Sequence, residues 1–225
     1  MQPPSRADLS RTWALVPIRG LETAKTRLGA DLDPEEREAL VRELLRRTLA
    51  ATRDARRIEG TVVVTMDGDA AEIARRHHAV GLVERAPGLN GAIEAARSVA
   101  QARGATAVLV LPADLPAVSA EALDALMSSA AAMTDASGGT SDGDGARDGL
   151  VALVPDRHGE GTNALLVSPP VMVAPAFGAA SRLRHAAAAR AAGARFVELA
   201  GPLSLDVDTA ADLLDAEAAL GSLRG

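Results

Sequence analysis

The stretch TAVLVLPADLP, Thr106 to Pro116, decides the fold. Thr106–Leu111 carries no charged side chain, so both faces of an extended segment there would be apolar. A strand buried on both faces belongs in the middle of a sheet covered by helices on each side. The run stops at Pro112-Ala113-Asp114-Leu115-Pro116, which leaves one carboxylate between two prolines where the strand ends.

Outward from this segment, strand and helix signals alternate. Trp13–Ile18 (WALVPI), Thr61–Met66 (TVVVTM) and Val80–Val83 read as upstream strands. Asp33-Pro34-Glu35-Glu36 opens a helix, with Asp at the N-cap, Pro first and Glu third. Leu40, Val41, Leu44, Leu45 and Leu49 then recur on one helical face. Further helices are expected over Asp69–His78, Ala92–Arg103 and Glu121–Ala132. Downstream, Leu150–Val154, Asn163–Val167 and Arg195–Leu199 read as strands, and Arg182–Ala192 and Thr209–Ala219 as helices. Met133–Asp148 (MTDASGGTSDGDGARD) lacks periodicity and reads as a mobile surface insertion. The pattern predicts a single domain over residues 1–225, α/β in class, a three-layer sandwich with a mostly parallel sheet.

Composition removes several functions. The 225 residues are 48% hydrophobic and 24% charged, as in ordinary globular domains. One Trp, two Phe and no Tyr leave the core aliphatic and give single-stranded nucleic acid almost nothing to stack on. A formal net charge of −6 argues against a polyanion partner. The absence of Cys excludes disulfides, thiolate metal centres and thiol nucleophiles. No apolar run approaches the ~18 residues of a membrane span, and Met1–Arg11 has no apolar core of a secretory signal. A cytoplasmic protein is expected, with neither nucleic acid nor membrane as partner. No GxSxG elbow occurs, which argues against a serine hydrolase.

In open α/β sheets the ligand lies beyond the carboxyl ends of the strands. After the first strand, RGLETAKTRL (19–28) offers Gly20, hydroxyls, and the cations Arg19, Lys25 and Arg27. Such a loop can wrap a triphosphate and neutralise charge growing on a leaving pyrophosphate. It matches neither GxxxxGK[ST] nor GxGxxG, and a solvated basic turn is the plain alternative. Lys25 is the single lysine among 24 Lys and Arg, which suggests a position where a compact ammonium is needed, with chance survival as the plain alternative.

Asp114 is held at the end of the central strand, and Ser119 is better placed than it is to cap the next helix. In LDVDT (205–209), Asp206 and Asp208 are two apart and can converge on one point in an extended chain. With Asp114 they could hold one or two Mg²⁺ ions, which prefer carboxylate oxygens and water. Asp208 or Thr209 could equally cap the last helix. In FGAASRLRH (177–185), Gly and Ser open a helix whose free N–H groups suit a phosphate or carboxylate. Arg182, Arg184 and His185 add positive potential there, although ordinary capping of a surface helix explains the pattern as well.

Six segments in order resemble the 2-phospho-L-lactate or phosphoenolpyruvate guanylyltransferases of coenzyme F420 biosynthesis. They are VPIRGLETAKTRL (16–28), APGLNGAI (86–93), LPADLP (111–116), VPDRHGEGTNALL (154–166), FGAASRLRH (177–185) and LDVDTAADL (205–213). The resemblance implies a nucleotide-diphospho-sugar transferase type of fold and Mg²⁺-dependent transfer of GMP from GTP to a small phosphorylated C3 acid. It implies metal ligation by Asp114, Asp206 and Asp208, with Lys25 and Asp114 catalytic. Arg19, Gly20, Lys25 and Arg27 would hold the triphosphate, and Gly88, Leu89 and Asn90 would lie along the nucleotide. Thr162, Gly178, Ser181 and His185 would form the acid site. A homodimer and hand-over of a labile product to the next enzyme are further expectations. Arg19 replaces a more usual Lys, and FGAAS departs from FGxGS at Ala180. The rival readings are a molybdenum-cofactor or sugar-phosphate nucleotidyltransferase, whose Gly-rich GGxGxR-type loop is missing, and an inactive nucleotide-binding module.

Overall fold

The computed structural model describes residues 7–21, 25, 28–29, 31–85, 88–135, 149–220 and 223. One sheet collects strands from along this whole length: β1 (Thr12–Pro17), β2 (Ile58–Thr65), β3 (Val80–Val83), β4 (Ala107–Val110), β5 (Leu150–Pro155), β6 (Thr162–Ser168) and β7 (Arg195–Glu198). Their order is β3-β2-β1-β4-β6-β5-β7. Only β6 runs against its neighbours, β4 and β5, so the sheet is mostly parallel.

The helices are α1 (Pro34–Asp54), α2 (Gly68–Arg76), α3 (Gly88–Ala102), α4 (Ala120–Asp135), α5 (Ser181–Ala191) and α6 (Ala210–Leu220). Side chains alternate along each strand and so sort into two cores. Leu15, Val62, Val64, Val108 and Val110 face Ile93 and Ala96 of α3 and Ala189 of α5. Leu109 and Leu111 face Leu123 and Met127 of α4, while Val16 and Val63 meet Val41 and Leu45 of α1. This is the three-layer α/β sandwich. Every residue of β4 is buried, as the apolar run required. Full burial of one such Val or Leu contributes about 1.5–3 kcal/mol.

Local signals set the element ends. Asp33 accepts from Glu36 N–H at 2.8 Å and Glu36 accepts from Asp33 N–H at 2.9 Å, a reciprocal cap on α1 with Pro34 behind it. Loss of such a cap costs about 1 kcal/mol. α2 stops at Arg76 because His78 turns to φ 62°. α3 begins at Gly88, four residues before the expected start, so Gly88, Leu89 and Asn90 form its first turn rather than a loop. α4 continues through Asp135, and positions 136–148 of the expected insertion lie outside the described residues.

Candidate active site

Strand order creates the site. From β1 the chain crosses to β2 and β3 on one side, while β4 lies on the other, so the loops after β1 and β4 diverge. Ligands of α/β sheets bind at such a switch point. A cavity of about 770 Å³ opens there, lined among others by Pro17, Arg19, Lys25, Thr65, Gly88, Leu89, Asp114, Phe177 and Asp208. That volume suits a ligand of nucleotide size.

Lys25 is the centre of this site. Its Nζ donates to Asp114 Oδ2 at 2.7 Å and to Asp208 Oδ1 at 2.8 Å. Its side chain is only 8% exposed, against 30% for Asp114 and 44% for Asp208. Burial alone would lower the ammonium pKa, but Asp114 and then Asp208 more than offset it, so the pKa is raised and the charge is held. The backbone of Lys25 adopts φ 57°, a left-handed conformation that costs about 1–2 kcal/mol outside glycine. Strain of this kind persists where the surroundings enforce it.

Packing brings the partners together. Val207 is fully buried with Leu28, Leu40 and Leu44, which ties the Lys25 loop, α1 and the 205–208 segment to one cluster. Val207 N–H donates to the Asp114 carbonyl at 3.1 Å. Residues 205–208 form no strand, and the expected convergence of Asp206 and Asp208 takes a different shape. Asp208 turns to Lys25, while Asp206 Oδ1 lies 3.4 Å from Asn163 Nδ2. Among the described residues no three His, Asp or Glu side chains form a ready-made metal cage. The donor chemistry nevertheless suits a hard divalent cation. Such a cation prefers carboxylate oxygens, and burial first, then the neighbouring Asp114 carboxylate, push the Asp206 carboxyl pKa up against the opposing pull of Asn163 and Lys25. Thr209 takes the capping role: its hydroxyl accepts from Asp212 N–H at 3.3 Å, and Asp212 accepts from the Asp208 and Thr209 N–H groups at 2.9 and 2.7 Å.

Gly20 is buried and Arg19 exposed at the cavity wall, whereas Arg27 lies outside the described residues. Two residues that the sequence reading passed over support this loop and the acidic segment opposite it. Asp67 caps α2 and also accepts from Leu21 N–H at 2.9 Å. Asn163 donates to the carbonyls of Leu203 and Ser204 at 3.1 and 3.0 Å and so anchors the acidic segment. Polar residues bound to backbone across the fold leave no periodic signature, although Asp67 was legible as a helix cap.

A second polar centre lies beside Phe177. The register of β5 with β6 pairs Val154 with Ala164 and Pro155 with Thr162, so Asn163 is the extra residue of a bulge. Strict alternation would group Thr162 with Ala164 and Leu166 against α4. The bulge turns it instead to Ser181 and His185 of α5. Gly178 takes φ 111° and Ala180 φ 52°, so Ala180 holds a left-handed position that glycine would fill without strain.

Several expectations for this region change. Asn90 does not point a free amide at a nucleotide: it accepts from Phe177 N–H at 2.8 Å and donates to Phe177 C=O at 3.2 Å. Arg182 is committed to Glu198 at 2.8 Å, and Arg184 donates to Phe177 C=O at 3.0 Å. His185 is 0% exposed, so it cannot touch a ligand directly. Burial first, and Arg184 second, lower its pKa to about 4, so it adds no positive potential near neutral pH.

The cavity at the switch point of this doubly wound sheet, with a buried lysine between aspartates, has the size and charge to hold a nucleotide by its phosphates. Solved structures agree on the fold. A chain described as a nucleotide-diphospho-sugar transferase from Desulfovibrio desulfuricans superposes with TM-score 0.64 at 17% identity, over 89% of this chain and 83% of that one. A nucleotidyl transferase from Methanothermobacter gives TM-score 0.61 at 19% identity, over 93% and 97%. The sequence is more specific. Residues 12–218 match the family model described as guanylyl transferase CofC like, and the chain belongs to that family. The phosphoenolpyruvate guanylyltransferase of Sphaerobacter thermophilus is 40% identical over 203 residues, 90% of each chain, and further relatives carry the same name. The class is that of a guanylyltransferase.

Proposed function

We propose that this protein transfers GMP from GTP to the phosphate of phosphoenolpyruvate, with 2-phospho-L-lactate as the alternative acceptor, in an early step towards coenzyme F420. The observation that carries the reading is the Lys25 ammonium, buried between Asp114 and Asp208 in the lining of the cavity. The name shared by the relatives favours phosphoenolpyruvate.

In this reading an oxygen of the acceptor phosphate attacks the α-phosphorus of GTP. The bond from that phosphorus to the bridging oxygen breaks, and its electron pair leaves with pyrophosphate. The acceptor is already anionic, so no general base is needed, and catalysis is alignment with charge neutralisation. Lys25 neutralises the negative charge that grows on the pyrophosphate, and Arg19 lies on the same wall. Asp114, Asp206 and Asp208 would hold Mg²⁺, which when bound supplies charge neutralisation and orients the phosphates. Gly88 and Leu89 open α3 on the cavity side, where unpaired N–H groups favour phosphate. Thr162, Gly178 and Ser181 would receive the C3 acid. Incubation with GTP and each acid separately, followed by mass analysis of the product, tests the proposal. The expected product is enolpyruvyl-diphospho-guanosine, formed with one pyrophosphate per turnover.

A further inference from the structure

The hydrogen bonds around His185 can be counted. Ala176 N–H donates to His185 Nε2 at 2.9 Å, so that nitrogen is an acceptor and the single proton of the neutral ring sits on Nδ1. Nδ1 faces Thr162 Oγ1 at 3.1 Å, and Thr162 Oγ1 lies 3.0 Å from Ser181 Oγ. The three side chains bring three polar hydrogens: one on Nδ1 and one on each hydroxyl. Their two mutual contacts use two of these. One hydroxyl hydrogen remains, that of Thr162 when Ser181 Oγ donates to it, and no further hydrogen bond takes it among the described residues. Thr162 is 7% exposed and Ser181 2%, so a donor left this way is costly unless a ligand or a water takes it.

We propose that His185 is a positioning residue: its Nδ1–H occupies Thr162 and commits the Thr162–Ser181 hydroxyl pair to donate its remaining hydrogen to an anionic oxygen of the phosphorylated acid. The proposal rests on the reading that Thr162 and Ser181 face that acid. The ring is set for this task from every side. Phe177 packs edge-on at 4.9 Å between ring centroids, Ala176 fixes the far nitrogen, and Arg184 is the charged group that bears on it. A protonated ring would place an N–H against the Ala176 N–H, and the pKa near 4 keeps that state away from neutral pH.

Two amide substitutions separate the ring's two contacts. In His185→Asn the side-chain NH₂ falls near the Nδ1 position and can still donate to Thr162. In His185→Gln the longer side chain reaches the Nε2 position, where its oxygen can accept from Ala176 but cannot serve Thr162. Steady-state kinetics with GTP and phosphoenolpyruvate, after thermal melts confirm folding, should show KM for the acid raised about tenfold or more in His185→Gln. The rise should be several-fold smaller in His185→Asn, with KM for GTP little changed in both. The reverse order, equal impairment, or no impairment in either variant would overturn the positioning role. Thr162→Val separates this from the reading of the site. An unchanged acid KM in Thr162→Val removes the acid site itself, whereas a raised one beside a wild-type His185→Gln removes only the role of His185.

Discussion

The N–H of Val207 donates to the carbonyl of Asp114 at 3.1 Å, joining the last acidic segment to the end of the central strand through backbone alone. The side chain of Asp114 is therefore free of that structural duty and engages Lys25. Asp114→Asn should fold normally and keep the Val207 bond. It should lose on the order of 10²–10³ in turnover, because the shape remains while the charge is gone. Thermal melts together with GTP turnover check both halves.

Lys25→Arg should damage turnover nearly as much as Lys25→Ala. The ammonium fits between two carboxylates at 2.7 and 2.8 Å with 8% of its side chain exposed. A planar guanidinium is larger and cannot take that place without displacing one partner. The loss should fall on kcat more than on KM for the acid, since the charge matters most as pyrophosphate departs. Steady-state kinetics on the two variants provide the comparison.

Stability should fall as pH drops from 6.5 towards about 4, in part through His185. Its folded pKa of about 4 lies below the ordinary 6.5, so the unfolded chain takes up the proton first. The contribution is whole above pH 6.5 and declines through that window, by up to about 3 kcal/mol. Denaturant midpoints at pH 7 and pH 4.5 should differ less in His185→Phe than in the wild type. An equal pH dependence in both proteins would contradict the shift.

Ala180→Gly should leave activity intact and stabilise the fold slightly. Ala180 sits at φ 52°, which costs an L-residue about 1–2 kcal/mol. The greater freedom of glycine in the unfolded chain takes back about 0.4–1 kcal/mol. A net gain of about 0–1.6 kcal/mol in a urea titration is expected.

The frame of the molecule was legible because it follows from patterns with a period. The apolar run of β4, the cap at Asp33 and the lone Lys25 each declared itself through spacing, propensity or rarity. What the sequence hid is aperiodic. The bulge at Asn163, which turns Thr162 towards α5, adds one residue to a strand without changing its composition. His185 looked like surface charge beside two arginines, yet tertiary packing buries it and holds it neutral. Asn90 lies in a segment resembling a nucleotide-binding one, but its amide is spent on both polar groups of Phe177.

The most direct test of the account is GTP turnover with phosphoenolpyruvate and 2-phospho-L-lactate offered one at a time, in Mg²⁺, with product masses read alongside pyrophosphate release. The account predicts pyrophosphate release that depends on the acid, and a product whose mass equals the sum of GMP and phosphoenolpyruvate less one water, the two joined through a diphosphate. A folded protein that releases no pyrophosphate with either acid, or that joins GMP to neither, would contradict it.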